Sequence, residues 1–137
     1  MTSNLSSFRY SFSVQPSDID FNGHVHNVTY LTWMIEAATK HSESVGAGYE
    51  VCLKYGGIWV AKSHHIEYKK PAFENDTLQM KTWIGDIGKI LSTRCYELSR
   101  IEDGAIVCEG VTEWVFVDSE TMRPMKIPKA IREAFTV

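Results

Sequence analysis

The spacing of apolar and polar residues changes period along the chain. Residues 8–15 (FRYSFSVQ) alternate for much of their length, as a strand with one buried face does. From Val28 to Val45 the period becomes helical. Tyr30, Leu31, Met34, Ala37, Ala38, His41 and Val45 make a broad apolar stripe, and Thr29, Thr32, Glu36, Lys40 and Glu43 a narrower polar one. Glu36 and Lys40 add a favourable i,i+4 pair. Asn27 is a candidate N-cap and Gly46 a natural stop. A helix apolar over more than half its circumference is expected to be wrapped by the rest of the domain.

Beyond a turn at Gly56 and Gly57, four strand-like runs follow at 58–70, 77–87, 90–101 and 105–118. The segments joining them, PAFEND, DIGK and EDGA, are turn chemistry, and Asp103-Gly104 is the best hairpin signal. The last run, IVCEGVTEWVFVD, is apolar on both faces near its end and is predicted to be a central strand. Pro128 opens a short amphipathic helix, KAIREAF, at a position where an N1 proline is welcome. Strand, helix, then four hairpin-connected strands predict an α+β fold, one five-stranded antiparallel sheet curled around one long central helix.

Composition adds limits. The 137 residues fit one domain, expected to span 1–137, with a sizeable core. A net charge of -3 gives no basic balance that would point to nucleic acid. The first sixteen residues hold no signal-like apolar run, and no 18-residue apolar stretch predicts a membrane span. Cys52, Cys95 and Cys108 are scattered and odd in number, so reduced thiols in a cytoplasmic protein are expected.

The chemistry concentrates between strand and helix, in DIDFNGHVHN at 18–27. Asp18, Asp20, Asn22 and Gly23 match four positions of a calcium-binding EF-hand loop, but the bidentate Glu expected at its twelfth position is Thr29, and a strand precedes it rather than a helix. His24 and His26 form an H-x-H, weak spacing for zinc; of His64 and His65, neighbours on a strand, only one can face inward. No metal is expected. A plain strand-to-helix turn also explains Asp, Asn and Gly. The remaining reading is catalytic. A helix N-terminus offers unpaired N–H groups that can polarise a carbonyl, and a nearby carboxylate can attack it or activate water. Gly23 would let the chain pass close to a ligand.

SDIDFNGHVHNVTYLTWMIEA resembles the signature of the hotdog-fold thioesterases, the 4-hydroxybenzoyl-CoA thioesterase-like family, which runs roughly D-x-D-x-x-G-H-V-N-N-x-x-Y-L-x-W. IEYKKPAFENDTL resembles the second strand of that family and its Pro-Ala turn, and MRPMKIPKAIREAF its usual ending. The D-x-N-x-H arrangement is also similar to acyl-ACP thioesterases. The resemblance implies a hotdog fold and an acyl-CoA thioesterase, with Asp20, Asn22 and His24 as catalytic residues. Gly23, Asn27 and Tyr30 are then the substrate-binding positions, the backbone amide near Asn27 polarising the thioester carbonyl. It implies no cofactor and a homodimer or dimer of dimers. Acyl-ACP thioesterases carry a Glu-Cys pair where this chain has Pro71 and Ala72, and two such domains per chain; acyl-CoA is therefore the expected substrate and acyl-ACP the alternative. A dehydratase would use a His and an acid from the central helix, and Glu36 lacks that motif. A non-catalytic acyl-thioester binder is the other rival. Asn75 stands where a Gly is usual, and asparagine tolerates positive φ. Lys69, Lys70, Lys89 and Arg94 are candidates for CoA phosphates or an acidic carrier, or simply for a solvated sheet edge; Trp59, Trp83 and Trp114 are expected in the core.

Overall fold

The computed structural model of the protein describes residues 5–137. The chain runs β1 (Ser7–Ser13), α1 (Asn27–Ser44), α2 (Tyr49–Lys54), β2 (Gly57–Tyr68), β3 (Thr77–Ile87), β4 (Leu91–Arg100), β5 (Ile106–Asp118) and α3 (Lys129–Ala134). The strands form one sheet in the order β1-β3-β4-β5-β2, every pair antiparallel. β5 is an inner strand, as its two-sided apolarity required. Between β1 and β2, which hold opposite edges, the chain crosses the sheet as α1. The expected five-stranded sheet around one long helix is what forms.

The inner face of the sheet is set by alternation. Leu78, Met80, Thr82 and Ile84 of β3 are buried, as are Ser92, Arg94, Tyr96 and Leu98 of β4. Against them α1 sets Tyr30, Trp33, Met34, Ala37, Ala38 and His41. The helix lies close on β5 because Gly110 has no side chain: a Cβ there would stand 2.7 Å from Met34 Sδ. Apolar packing falls into two clusters. One centres on Tyr30, Met34, Leu78, Met80 and Leu98, the other on Phe116, Ile127, Ile131 and Phe135.

Local details correct the sequence reading in four places. The N-cap of α1 is His26, not Asn27: its backbone is extended and its Nδ1 accepts the Val28 N–H. Imidazole supplies the acceptor that Ser, Thr, Asp or Asn usually does. Pro128 likewise precedes α3 as its cap rather than opening it. The helix α2 and a 3-10 turn at Pro16–Asp18 are additional elements, both too short to show a period. Arg94 is not at the surface at all. At the other end of α1 the expectation for Gly46 holds. It takes φ +77, its N–H donates to Glu43 O, and the Ala47 N–H reaches back to Ser42 O, the Schellman closure. Asn75 does adopt φ +74.

Candidate active site

The segment 18–26 is a small hairpin. Ile19 and Val25 form an antiparallel bridge; the Asp20 N–H donates to His24 O (3.0 Å) and the His26 N–H to Asp18 O (2.9 Å). Two features close its tip. Asn22 N–H donates to Asp20 Oδ1 (2.8 Å), an Asx turn, and Gly23 takes φ +85, which a residue with a Cβ adopts only with strain. Phe21 stands at the tip, 98% exposed.

Three bonds fix the base of this hairpin to the β2–β3 connection. Val25, fully buried, gives its N–H to Ala72 O (2.9 Å). Val14 N–H donates to Asp76 O, and Asn75 N–H to Val14 O. The connection is itself braced: Phe73 N–H donates to Asp76 Oδ2 (2.9 Å), and Arg100 Nη1 reaches Pro71 O (3.3 Å) and Asp76 Oδ2 (3.5 Å).

The structure therefore brings Asp20, Asn22, Gly23 and His24 together on one turn that leads directly into α1. Only the backbone of Asn22 touches the Asp20 carboxylate; no side-chain bond joins Asp20, Asn22 and His24 among the described residues. The His24 ring, half-buried, stands edge-on to Phe73, with centroids 6.5 Å apart. Asn27 is the first helical residue. Its carbonyl accepts from Tyr68 Oη (3.4 Å), and its N–H has no partner among the described residues, because His26 Nδ1 serves Val28 instead. Tyr30 sits below the site rather than in it. It is 3% exposed, and its hydroxyl accepts the Ala72 N–H at 3.3 Å. Tyr30 thus holds Ala72, which holds Val25. Burial is the main reason its phenol is pushed up to about 12.

A second polar assembly lies under the far half of α1. Arg94, 3% exposed, points inward from β4 and donates through Nη1 to His41 Nδ1 (2.9 Å) and Thr82 Oγ1 (3.0 Å). Arginine has no acceptor, so His41 Nδ1 must be unprotonated and its Nε2–H must donate to Ser6 Oγ, 2.9 Å away. Burial first, and the neighbouring Arg94 charge second, bring His41 down to about 4. Next along the rung, Thr112 meets His64 Nδ1 at 2.8 Å, so His64 is the inward member of its pair, while His65 pairs with Glu67 outside. Trp59 and Trp114, expected in the core, line an open cavity beside this assembly. The alternation of β4 was the available signal: Arg94 shares a face with Tyr96 and Leu98. Among the described residues no three His, Cys, Asp or Glu side chains gather as metal ligands. All three cysteines are unpaired.

Residues 14–135 match the thioesterase-like superfamily. A chloroplastic acyl-acyl-carrier-protein hydrolase of Cuphea viscosissima is 28% identical over 134 residues, 93% of this chain and 32% of its own length. The chain spans about a third of the length of the plant relatives it matches. YneP of Bacillus subtilis, whose name as an acyl-CoA thioesterase is provisional, is 26% identical over 90% of this chain and 88% of its own. In three dimensions the chain superposes on a 1,4-dihydroxy-2-naphthoyl-CoA thioesterase of Synechocystis with a TM-score of 0.87 at 20% identity, covering 95% and 96% of the two chains. The sheet wrapped on its helix is thus the hotdog fold of such enzymes, and the chain belongs to the thioesterase-like superfamily.

Proposed function

We propose that this chain is an acyl-CoA thioesterase. One observation carries the reading: the Asp20 hairpin opens directly into α1, whose first N–H, at Asn27, has no partner among the described residues. A thioester carbonyl seated over that end accepts from the Asn27 amide, and the partial positive charge of the helix terminus favours the oxyanion. Asp20 then acts in one of two ways. As general base it takes a proton from water, whose oxygen attacks the carbonyl; the tetrahedral intermediate collapses, expels the CoA thiolate, and the proton returns to it. As nucleophile it forms a mixed anhydride, expels the thiolate, and water cleaves the anhydride. Asn22 orients Asp20 through the turn, and its amide side chain can position water or the carbonyl. His24 assists the leaving thiolate or holds the loop. Gly23 keeps the turn open to the ligand, and Tyr30 acts as a positioning residue through Ala72 and Val25. No cofactor is required by either route.

Acyl-CoA is preferred to acyl-ACP because Pro71 and Ala72 replace the Glu-Cys pair, and because YneP matches over nearly its whole length. The carrier-protein hydrolases named among the relatives keep acyl-ACP as the second reading. We assign the whole of 1–137 to one hotdog unit in fatty-acyl metabolism. Its free thiols suit the cytoplasm, and no helix among the described residues is long and apolar enough to cross a membrane.

The test is thiol release from short, medium, long and aromatic acyl-CoAs, with wild type and Asp20→Asn side by side. Hydrolysis lost in a folded Asp20→Asn supports the reading. Hydrolysis retained at the wild-type rate removes Asp20 from the mechanism; CoA esters untouched while acyl-ACP is cleaved transfers the activity to the second reading.

The reading includes a homodimer or dimer of dimers. β2 is twelve residues long, pairs only with β5 among the described strands, and is exposed over most of its length. An edge of that length invites a second copy. Sedimentation should give twice or four times the chain mass; a monomer at micromolar concentration would remove this part.

A further inference from the structure

We propose that the cavity beside the C-terminal half of α1 is a carboxylate site, in which an apolar stem lies along the walls and its carboxylate pairs with Arg94. The cavity holds about 210 Å³, more than the roughly 150 Å³ that admits a benzene in an engineered apolar cavity. Ile35, Ala38, Trp59, Ile84, Ile127 and Phe135 give it an apolar lining. Two guanidinium groups interrupt it, Arg132, whose Nη1 and Nη2 are taken by the Ile87 and Gly88 carbonyls, and Arg94. Such a charge is costly to bury without a counter-ion, and Arg94 has none: among the described residues no carboxylate lies within 4 Å of it. Residues 1–4 carry no acidic side chain. Its two acceptors, His41 and Thr82, are neutral and both occupy Nη1.

That leaves the other edge of the guanidinium. Among the described residues no hydrogen bond engages Nε or Nη2. Side by side, these two nitrogens present the fork that takes a carboxylate through two parallel bonds. A buried cation without a counter-ion and a largely apolar lining together select an acceptor anion on a hydrocarbon stem. The Phe135 ring, centred 5.7 Å from the guanidinium carbon, leaves the charge to be neutralised by the ligand.

Two sources present this chemistry. One is a free fatty acid bound head-in. The other is the far carboxylate of a dicarboxylic acyl thioester, whose reacting end lies at the Asp20 loop; this source alone rests on the hydrolase reading. The cavity begins at Ile35, eight residues and about 12 Å along the helix from Asn27, so the two sites are separate places on one helix.

Titration of the full chain with decanoate and with decanol, followed by the fluorescence of Trp59 and Trp114 and by calorimetry, tests the site. Decanoate should bind at least tenfold more tightly than decanol, and Arg94→Met should remove that preference while decanol binding persists. Equal affinities in wild type, or a preference that survives Arg94→Met, overturn the proposal. Should Arg94→Met not fold, Thr39→Trp, which plugs the cavity from the exposed side of α1, must abolish binding of both ligands; retained binding also overturns it. Comparing kcat/KM for decanoyl-CoA and its ω-carboxylated counterpart separates the sources. An ω-carboxyl preference lost in Arg94→Met assigns the carboxylate to the substrate; indifferent turnover with decanoate binding intact assigns it to a free acid. Binding that holds while no thioester is cleaved keeps the site and removes the hydrolase reading.

Discussion

The two ends of α1 solve opposite problems. At its N-terminus, polar groups face outward on a tight turn: Asp20 is held by a backbone amide, Phe21 is in solvent, and one helix N–H is left unused. Toward its C-terminus, polar groups face inward: Arg94 donates to both His41 and Thr82 beneath the helix. The first arrangement leaves a carboxylate half-exposed on a turn. The second strips water from a cation and gives it no counter-ion among the described residues. The first charge costs little to hold, and the second is costly to hide.

Substitutions at each end sharpen this contrast. The largest effect belongs to the exposed end. Asp20→Asn should cost a hundredfold to a thousandfold in kcat, about 3–4 kcal/mol of barrier, with the melting temperature unchanged, because its backbone bonds survive. The buried end should answer to pH instead. His41 is held near 4, against 6.5 in an unfolded chain. Between those values the unfolded chain binds a proton that the folded one refuses. The stability contributed by neutral His41 is therefore complete above pH 6.5 and lost as pH falls to 4, by about 3 kcal/mol. Denaturant midpoints measured across that window should fall in wild type and stay nearly flat in His41→Gln; equal slopes would show that His41 is protonated when folded. The smallest effect joins the two regimes. Tyr30→Phe removes the acceptor of the buried Ala72 N–H, at about 1–3 kcal/mol. Because Ala72 holds Val25, kcat should fall along with stability, while KM for a short acyl-CoA changes little. A loss of stability with kcat untouched would detach Tyr30 from the loop.

The contrast also explains what the sequence made legible. Strands of seven to thirteen residues are long enough to show in the sequence, and all five lie on the runs read there. The helix was equally plain, but its cap was misplaced by one because histidine is outside the usual capping set. α2, six residues between glycines, had no room for a period. The Asp20 loop was legible as residue types, yet its hairpin depends on a backbone bond to Ala72, some fifty residues later. Arg94 was misread because its charge was weighed and its parity with Tyr96 and Leu98 was not. Trp59 packs on the core cluster at Phe116 as expected, yet like Trp114 it also borders a cavity, and nothing in one strand says that the space beyond a tryptophan is empty.

The ties between the loop and the β2–β3 connection carry a consequence in time. Val25 leans on Ala72, and Val14 on Asn75 and Asp76. β1, from which the loop springs, pairs with Thr77–Trp83. On a chain made from its N-terminus, the Asp20 hairpin is synthesised some fifty residues before the segment that fixes it. Its residues wait, unfixed, until more than fifty others have been added.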